Sequence, residues 1–256
     1  MAAFYSLSRI GSPTGASALD AHYAQLSAVI KNSEALKYCI PNELICAEVG
    51  RAIGIPIPPC GIVYAPGHPV KYWFASLNFN LTSNPPPPVD GQACVNALPR
   101  LCAGIVLFDI LTANPDRHRG NLYFDRSSKP PKMSVFDHSH ALFGHVDGKG
   151  GERMRELKNR LGVSGGTVTG QNRHCLLDKL NDDRDFGFWY KRIRAVPDHL
   201  IQDVCRNTVD MKWITAHEAT EAEKFLIYRR NNISGLVKLN RNEFTSIRTW
   251  SLIYDP

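Results

Sequence analysis

The sequence predicts an α+β fold of two unlike lobes. Three observations predict it. The first third of the chain carries short β-branched and aromatic runs separated by turn residues. A stiff tract of four prolines follows at 85–88. Beyond it, most of the apolar runs have helical length and spacing. The boundaries drawn from these shifts are a strand-rich lobe at 1–80, a proline-rich connector at 81–92 and a helical lobe at 93–256.

The elements follow in order. "YAQLSAVIK", residues 23–31, alternates loosely and ends in a β-branched pair before Lys31, which predicts a strand. In "PNELICAEVGRAIGIPIPP", Pro41 and Asn42 signal a helix start. Leu44, Ile45, Val49, Ala52 and Ile53 recur at helical spacing, and Gly54 with Pro56 marks the stop. "CGIVYA" and "VKYWFASLNF" predict two more strands joined by the turn "PGHP". Polyproline cannot donate ladder hydrogen bonds, so the proline tract is a connector; a ligand for an SH3-type domain is the lesser alternative.

After it, "ACVNALPRLCAGIVLFDILTAN" predicts one strongly apolar helix. "GNLYFD" and "KMSVFDHS" predict two short strands around the turn "RSSKPP". The stretch 144–170 holds 8 of the 19 glycines and is expected to be exposed. "HCLLDKL", "FGFWYKRIRAV", "PDHLIQDVCRN" and "EATEAEKFLIYRRNNISGLVKL" are expected to be helical.

Composition narrows the function. The 256 residues are 43% hydrophobic, enough for a real core. The net charge of +6 suits an anionic ligand but is too small to argue for nucleic acid, and no basic stripe interleaved with aromatics supports that reading. Seven cysteines without a C-x-x-C pair predict buried free thiols in a reducing compartment. There is no signal-peptide pattern, and the longest apolar run, 103–113, falls short of a membrane span, so a cytoplasmic protein without membrane insertion is expected.

Chemistry concentrates in "TANPDRHRGNLYFD", residues 112–125. Asp116 and Asn121 stand five apart, and Asp137 follows sixteen later in "VFDHS". Phosphoryl transfer needs a carboxylate to position the acceptor hydroxyl, a second carboxylate and an amide oxygen for Mg2+, a Lys on the phosphates and a Glu to orient that Lys. Lys31 at a strand end and Glu43 in the next helix supply the last two; Lys37, in the intervening loop, is the competitor. Each residue alone has a bland explanation, a turn or a solvated tip. Their joint order, Lys, Glu, connector, Asp-x-x-x-x-Asn, Asp, is that of a kinase.

"NPDRHRGN" with "VFDHSHALFG" behind it resembles the HipA-like kinases and is similar to the Asp-Arg-His loop of the phosphatidylinositol 3- and 4-kinases. "NELICAEVGRAIGIPIPP" and the tail "WYKRIRAVPDHLIQDV…FLIYRRNNISGLV" also resemble the HipA-like family, so the resemblance spans roughly 20–240. It implies a two-lobed protein-kinase-like fold using ATP and Mg2+. Asp116 would be the catalytic base, Asn121 and Asp137 the metal ligands, Lys31 the phosphate-binding lysine and Glu43 its partner. His118 would orient Asp116 or contact phosphate, or else brace the loop by a hydrogen bond. Arg117 and Arg119 are braces or surface charges, Arg117 the stronger brace. His138 stands where ordinary kinases have Phe. Gly11 and Gly15, with Ser12, Thr14 and Ser17, form a loose phosphate-covering loop, with Ser12 and Thr14 as its cofactor-binding candidates. The adenine hinge is expected near 74–78. Asn114 and Arg119 receive no defined role. The expected activity is transfer of the ATP γ-phosphate to a protein Ser or Thr. A lipid or small-molecule acceptor, and a nucleotide-binding pseudokinase, are the alternatives. The expected partner is a protein substrate, with a regulatory partner left open and no nucleic acid.

Overall fold

The computed structural model describes residues 7–13, 22–65, 71–80, 86–166 and 172–251. The N-terminal lobe holds an antiparallel ribbon, β1 (Leu7–Pro13) with β2 (His22–Leu26). It also holds an antiparallel sheet of β3 (Ala28–Lys31), β4 (Cys60–Ala65) and β5 (Lys71–Leu77) in the order β3-β5-β4. The single strand expected over 23–31 is therefore two, broken at Ser27, and the two halves join different sheets. The turn "PGHP" and Thr14 lie outside the described residues, as does the start of the proline tract.

Helix α1 (Cys39–Ile53) lies against this sheet, with Ile40 and Ala47 packed on Phe74 of β5. It starts two residues before Pro41, because a proline in the first turn gives up no intrahelical bond. Its end is dictated by Gly54 at φ 95°. The amide of Gly54 donates to the carbonyls of Gly50 and Arg51, and that of Ile55 donates to Gly50. Glycine takes that left-handed φ without a Cβ penalty. The other flank of α1 meets the C-terminal lobe, whose α6 (Asp198–Asp210) packs beside it.

The apolar helix expected after the connector is also two: α2 (Gly91–Ala97) and α3 (Pro99–Thr112). Pro99 lacks the amide a continuous helix would need and clashes with the preceding turn, so it starts a new helix instead. Asp90 caps α2, accepting from Gln92 and Ala93. Helix α3 is buried continuously from Cys102 to Thr112, which explains why it is apolar on every side. Around it pack α5 (Phe186–Arg194), α7 (Ala216–Asn231) and α8 (Ile233–Leu239). The last predicted helix breaks at Asn232 between α7 and α8. The start of α7 is fixed by a capping box between Thr215 and Glu218.

"HCLLDKL" forms only a 3-10 turn at Leu177–Lys179. The glycine-rich stretch is not simply exposed: it contains α4 (Gly150–Glu156), and Met154, Leu161 and Val163 enter the core. Two ribbons complete the lobe, β6 (Leu122–Asp125) with β7 (Lys132–Val135), and β8 (Ser164–Gly166) with β9 (Asn172–Arg173). All seven cysteines are free, five of them buried. Among the described residues no helix is long and apolar enough to cross a membrane.

Candidate active site

A cavity of about 420 Å³ opens between the lobes. Phe74, Ser76, Leu77 and Asn78 line it, all from the stretch expected to act as a hinge. Val29, Ile57, Phe79 and Phe136 add an apolar lining, and Lys31, Glu43, Asp137 and His138 line its charged end. Phe79 packs on Tyr123 and Phe136, with ring centroids 5.1 and 5.4 Å apart. An apolar slot ending in a few convergent charges is the usual form of a small-molecule site.

At the charged end Lys31 lies between two carboxylates. Its Nζ is 2.6 Å from Glu43 Oε1 and 2.8 Å from Asp137 Oδ1. Burial would push the ammonium pKa down, but the charges of Glu43 and Asp137 outweigh it and hold Lys31 above its ordinary value. Burial likewise pushes Asp137 up, and Lys31 with the Ser139 hydroxyl reverses this and holds it well below the carboxylate range. Ser139 Oγ donates to Asp137 Oδ1 at 2.7 Å. Lys37 does not compete for Glu43; it pairs with Asp147 at 2.8 Å.

Asp137 follows β7 at φ 61°, a left-handed conformation that Asp tolerates better than most residues. The chain after it is pinned to α1 by Asn42, which is fully buried. The Asn42 amide donates to the carbonyls of Ser139 (2.7 Å) and Gly144 (3.2 Å), and its oxygen accepts from the Phe143 amide.

The polar loop is a fold of its own. Asp109, buried in α3, accepts Arg117 Nε at 2.8 Å and Arg117 Nη2 at 3.0 Å, a bidentate pair. It also accepts from Asn114 Nδ2 and faces His174 Nε2, each at 3.0 Å. Burial pushes the Asp109 carboxyl up, yet the Arg117 guanidinium and the His174 hydrogen bond prevail and hold it well below the ordinary range. Arg117 Nη1 donates to the carbonyls of Asn121 (2.8 Å) and Phe136 (2.5 Å). One guanidinium nitrogen thus tethers the backbone of Asn121 to the backbone beside Asp137. Asn114 Oδ1 accepts the Asp116 amide at 3.1 Å, and Asn121 Nδ2 donates to the Asp116 carbonyl at 2.8 Å.

Asp109 and His174 carry no local signature of this role in the sequence. Asn114 and Arg119, without a role there, have one here. Asn114 links Asp109 to the Asp116 backbone. Arg119 Nε donates to the Val89 carbonyl and its carbonyl accepts the Val89 amide, which ties the connector to the loop. His118 is exposed, and its Nδ1 accepts the Gly120 amide at 3.0 Å, a hydrogen bond inside the loop. Ser12 lies exposed on β1 and does not line the cavity.

The donor set suits Mg2+ held with a nucleotide. Such an ion is bound by one or two protein oxygens and completes its shell with phosphates and water. Asp137 supplies a carboxylate at the cavity wall. Asn121 and Asp116 lie outside the cavity lining; Asn121 donates through its nitrogen to the Asp116 carbonyl, so a metal ion would meet its Oδ1.

A cleft between a small sheet-and-helix lobe and a helical lobe, holding a strand Lys paired with a helix Glu, defines the class: a two-lobed protein-kinase-like fold. Residues 27–150, which contain Lys31, Glu43, Asp116, Asn121 and Asp137, match the family model described as HipA-like kinase. Among solved structures, the chain is similar to the crystal structure of a Helicobacter pylori proinflammatory kinase, CtkA. The likeness has 14% identity and a TM-score of 0.53, covering 85% of this chain and 90% of that one. At that identity it shows the fold. No curated protein matches. The family match and the kinase neighbour together support a phosphotransferase.

Proposed function

We propose that the protein is an ATP- and Mg2+-dependent kinase that transfers the γ-phosphate to a protein Ser or Thr hydroxyl. The observation that carries this reading is Lys31 held by Glu43 beside Asp137 at the charged end of an apolar cleft. The apolar lining receives the adenine, against Phe79 and Phe136. Lys31 neutralises phosphate charge, and Glu43 keeps it in place. Asp137 and Asn121 would hold the cation, which when bound neutralises charge on the phosphates and orients them. Asp116 positions the acceptor hydroxyl and takes its proton. The Asp109–Arg117–His174 anchor keeps that loop rigid, so positioning costs little at the moment of reaction. The protein acceptor rests on the HipA-like match.

Incubation of the purified protein with labelled ATP, in the presence of protein extract or of lipid vesicles, tests the reading. Label is expected on protein, and Asp116→Asn should abolish it without changing the melting temperature. Label in lipid alone would overturn the acceptor. No transfer, with no Mg2+-dependent stabilisation by ATP, would leave a pseudokinase.

A further inference from the structure

His138 directly follows the proposed metal ligand and is 1% exposed. Its backbone amide donates to Glu43 Oε1 at 3.1 Å, and its ring Nδ1 lies 3.4 Å from Glu43 Oε2. Glu43 is itself buried, at 2% exposure. Its Oε1 also accepts from Lys31. An ionised carboxylate only accepts, so the proton between Glu43 and the imidazole sits on Nδ1. Burial would raise the Glu43 carboxyl, and the His138 hydrogen bond, ahead of the Lys31 charge, reverses that and keeps it ionised.

The other ring nitrogen tells against a packing role. His138 Nε2 is buried and has no hydrogen-bond partner among the described residues. A buried polar atom without a partner is costly. The space beside Phe108, whose ring centroid is 5.6 Å away, would suit an apolar ring without that cost. What the imidazole adds over an apolar ring is the Nδ1 donor.

We infer that His138 is a positioning residue: its imidazole fixes the Glu43 carboxylate in the orientation that holds Lys31 on the nucleotide phosphates. The inference rests on the kinase reading for its consequence, but its geometry concerns Glu43 alone. Two donors from one residue lock both carboxylate oxygens. The lysine is then held by a carboxylate that cannot rotate away when Asp137 is taken by a metal.

Three proteins test it: wild type, His138→Phe and His138→Asn. Phe keeps the ring volume and the backbone donor but removes Nδ1. Asn places an amide donor at nearly the same distance from Cβ. The kcat/KM for ATP should fall about tenfold or more in His138→Phe, from the loss of a hydrogen bond to a charged group. The fall should lie mainly in the KM for ATP, and His138→Asn should recover most of it. A second readout does not need activity. The rate of Lys31 acylation by acetic anhydride, followed by mass spectrometry on protein shown folded by its melting transition, should rise several-fold in the Phe variant and stay near wild type in the Asn variant. Equal losses in Phe and Asn, or unchanged Lys31 acylation in the Phe variant, would overturn the inference. A wild type without phosphotransfer would overturn the kinase reading instead, and the acylation rates would still decide the role of His138.

Discussion

Lys31 Nζ lies 2.8 Å from Asp137 Oδ1, so the proposed phosphate-binding cation and the proposed metal-binding anion are paired with each other. On the proposed function, both would lose that partner to an entering metal–nucleotide complex. The exchange costs little, because both groups keep a second partner: Glu43 for Lys31 and Ser139 for Asp137. ATP should therefore raise the melting temperature of the wild type more with Mg2+ than without it. Asp137→Asn should remove the Mg2+-dependent increment and retain the metal-free one. Thermal-shift titration with and without EDTA reads this directly, and an unchanged increment in the variant would remove Asp137 from the metal site.

Acid should destabilise the protein through the same carboxylates. Asp109 and Asp137 have folded pKa values held well below those of the unfolded chain. A group depressed in this way contributes stability that is present above the unfolded value, about 4, and is lost as pH falls through the folded one. Urea midpoints should be level between pH 7 and 5 and then drop steeply below about pH 4. Asp109→Asn should be less stable at pH 7 and show a shallower drop.

Arg117→Ala should be among the most damaging single changes. It leaves Asp109 charged and buried without its main counter-charge, a defect of roughly 3–5 kcal/mol. Arg117→Lys should rescue only part of this, because an ammonium cannot reproduce the bidentate pair and the two carbonyl contacts together. Equilibrium unfolding in urea measures both. A loss below 1 kcal/mol in the Ala variant would contradict the anchor.

Gly104→Ala should destabilise despite the better helix propensity of alanine. An added Cβ would stand 2.2 Å from the Trp189 indole. Overpacking of this kind costs about 1–3 kcal/mol, against a propensity gain of about 1. Trp189 Nε1 donates to the Arg100 carbonyl, so displacement of the ring should also shift its emission to the red. Unchanged emission with raised stability would show that the helices part without strain.

The parts of the site legible in sequence were those with local signatures. Lys31 ends a β-branched run and Glu43 opens a periodic one, so strand and helix could be assigned and the pair followed. Asp116, Asn121 and Asp137 share a spacing that chemistry explains. The remainder depended on long-range contact. Asp109 looked like an interruption in an apolar helix, and His174, 65 residues later, lay in a stretch expected to be helical. Nothing in either neighbourhood signals the other. The break at Pro99 was locally legible but was outweighed by the apolar run on both sides of it. The division at Ser27 was not, since it shows only in the partner each strand takes, β1 for β2 and β5 for β3.

Arg229 sets a limit on when this cleft can form. Its guanidinium is buried with no carboxylate partner among the described residues and is shared among carbonyls: Ile110 at the end of α3, and Leu157, Arg160 and Leu161 beyond α4. Those acceptors precede it by as much as 119 residues. At translation rates of about 5–20 residues per second, the loop at 112–125 leaves the ribosome roughly 5–23 s before the residue that ties off its supporting helix. The nascent chain would thus carry Lys31, Glu43, Asp116 and Asp137 well before it holds them in register. The cleft would be held in register only once Arg229 has emerged and docked on those carbonyls.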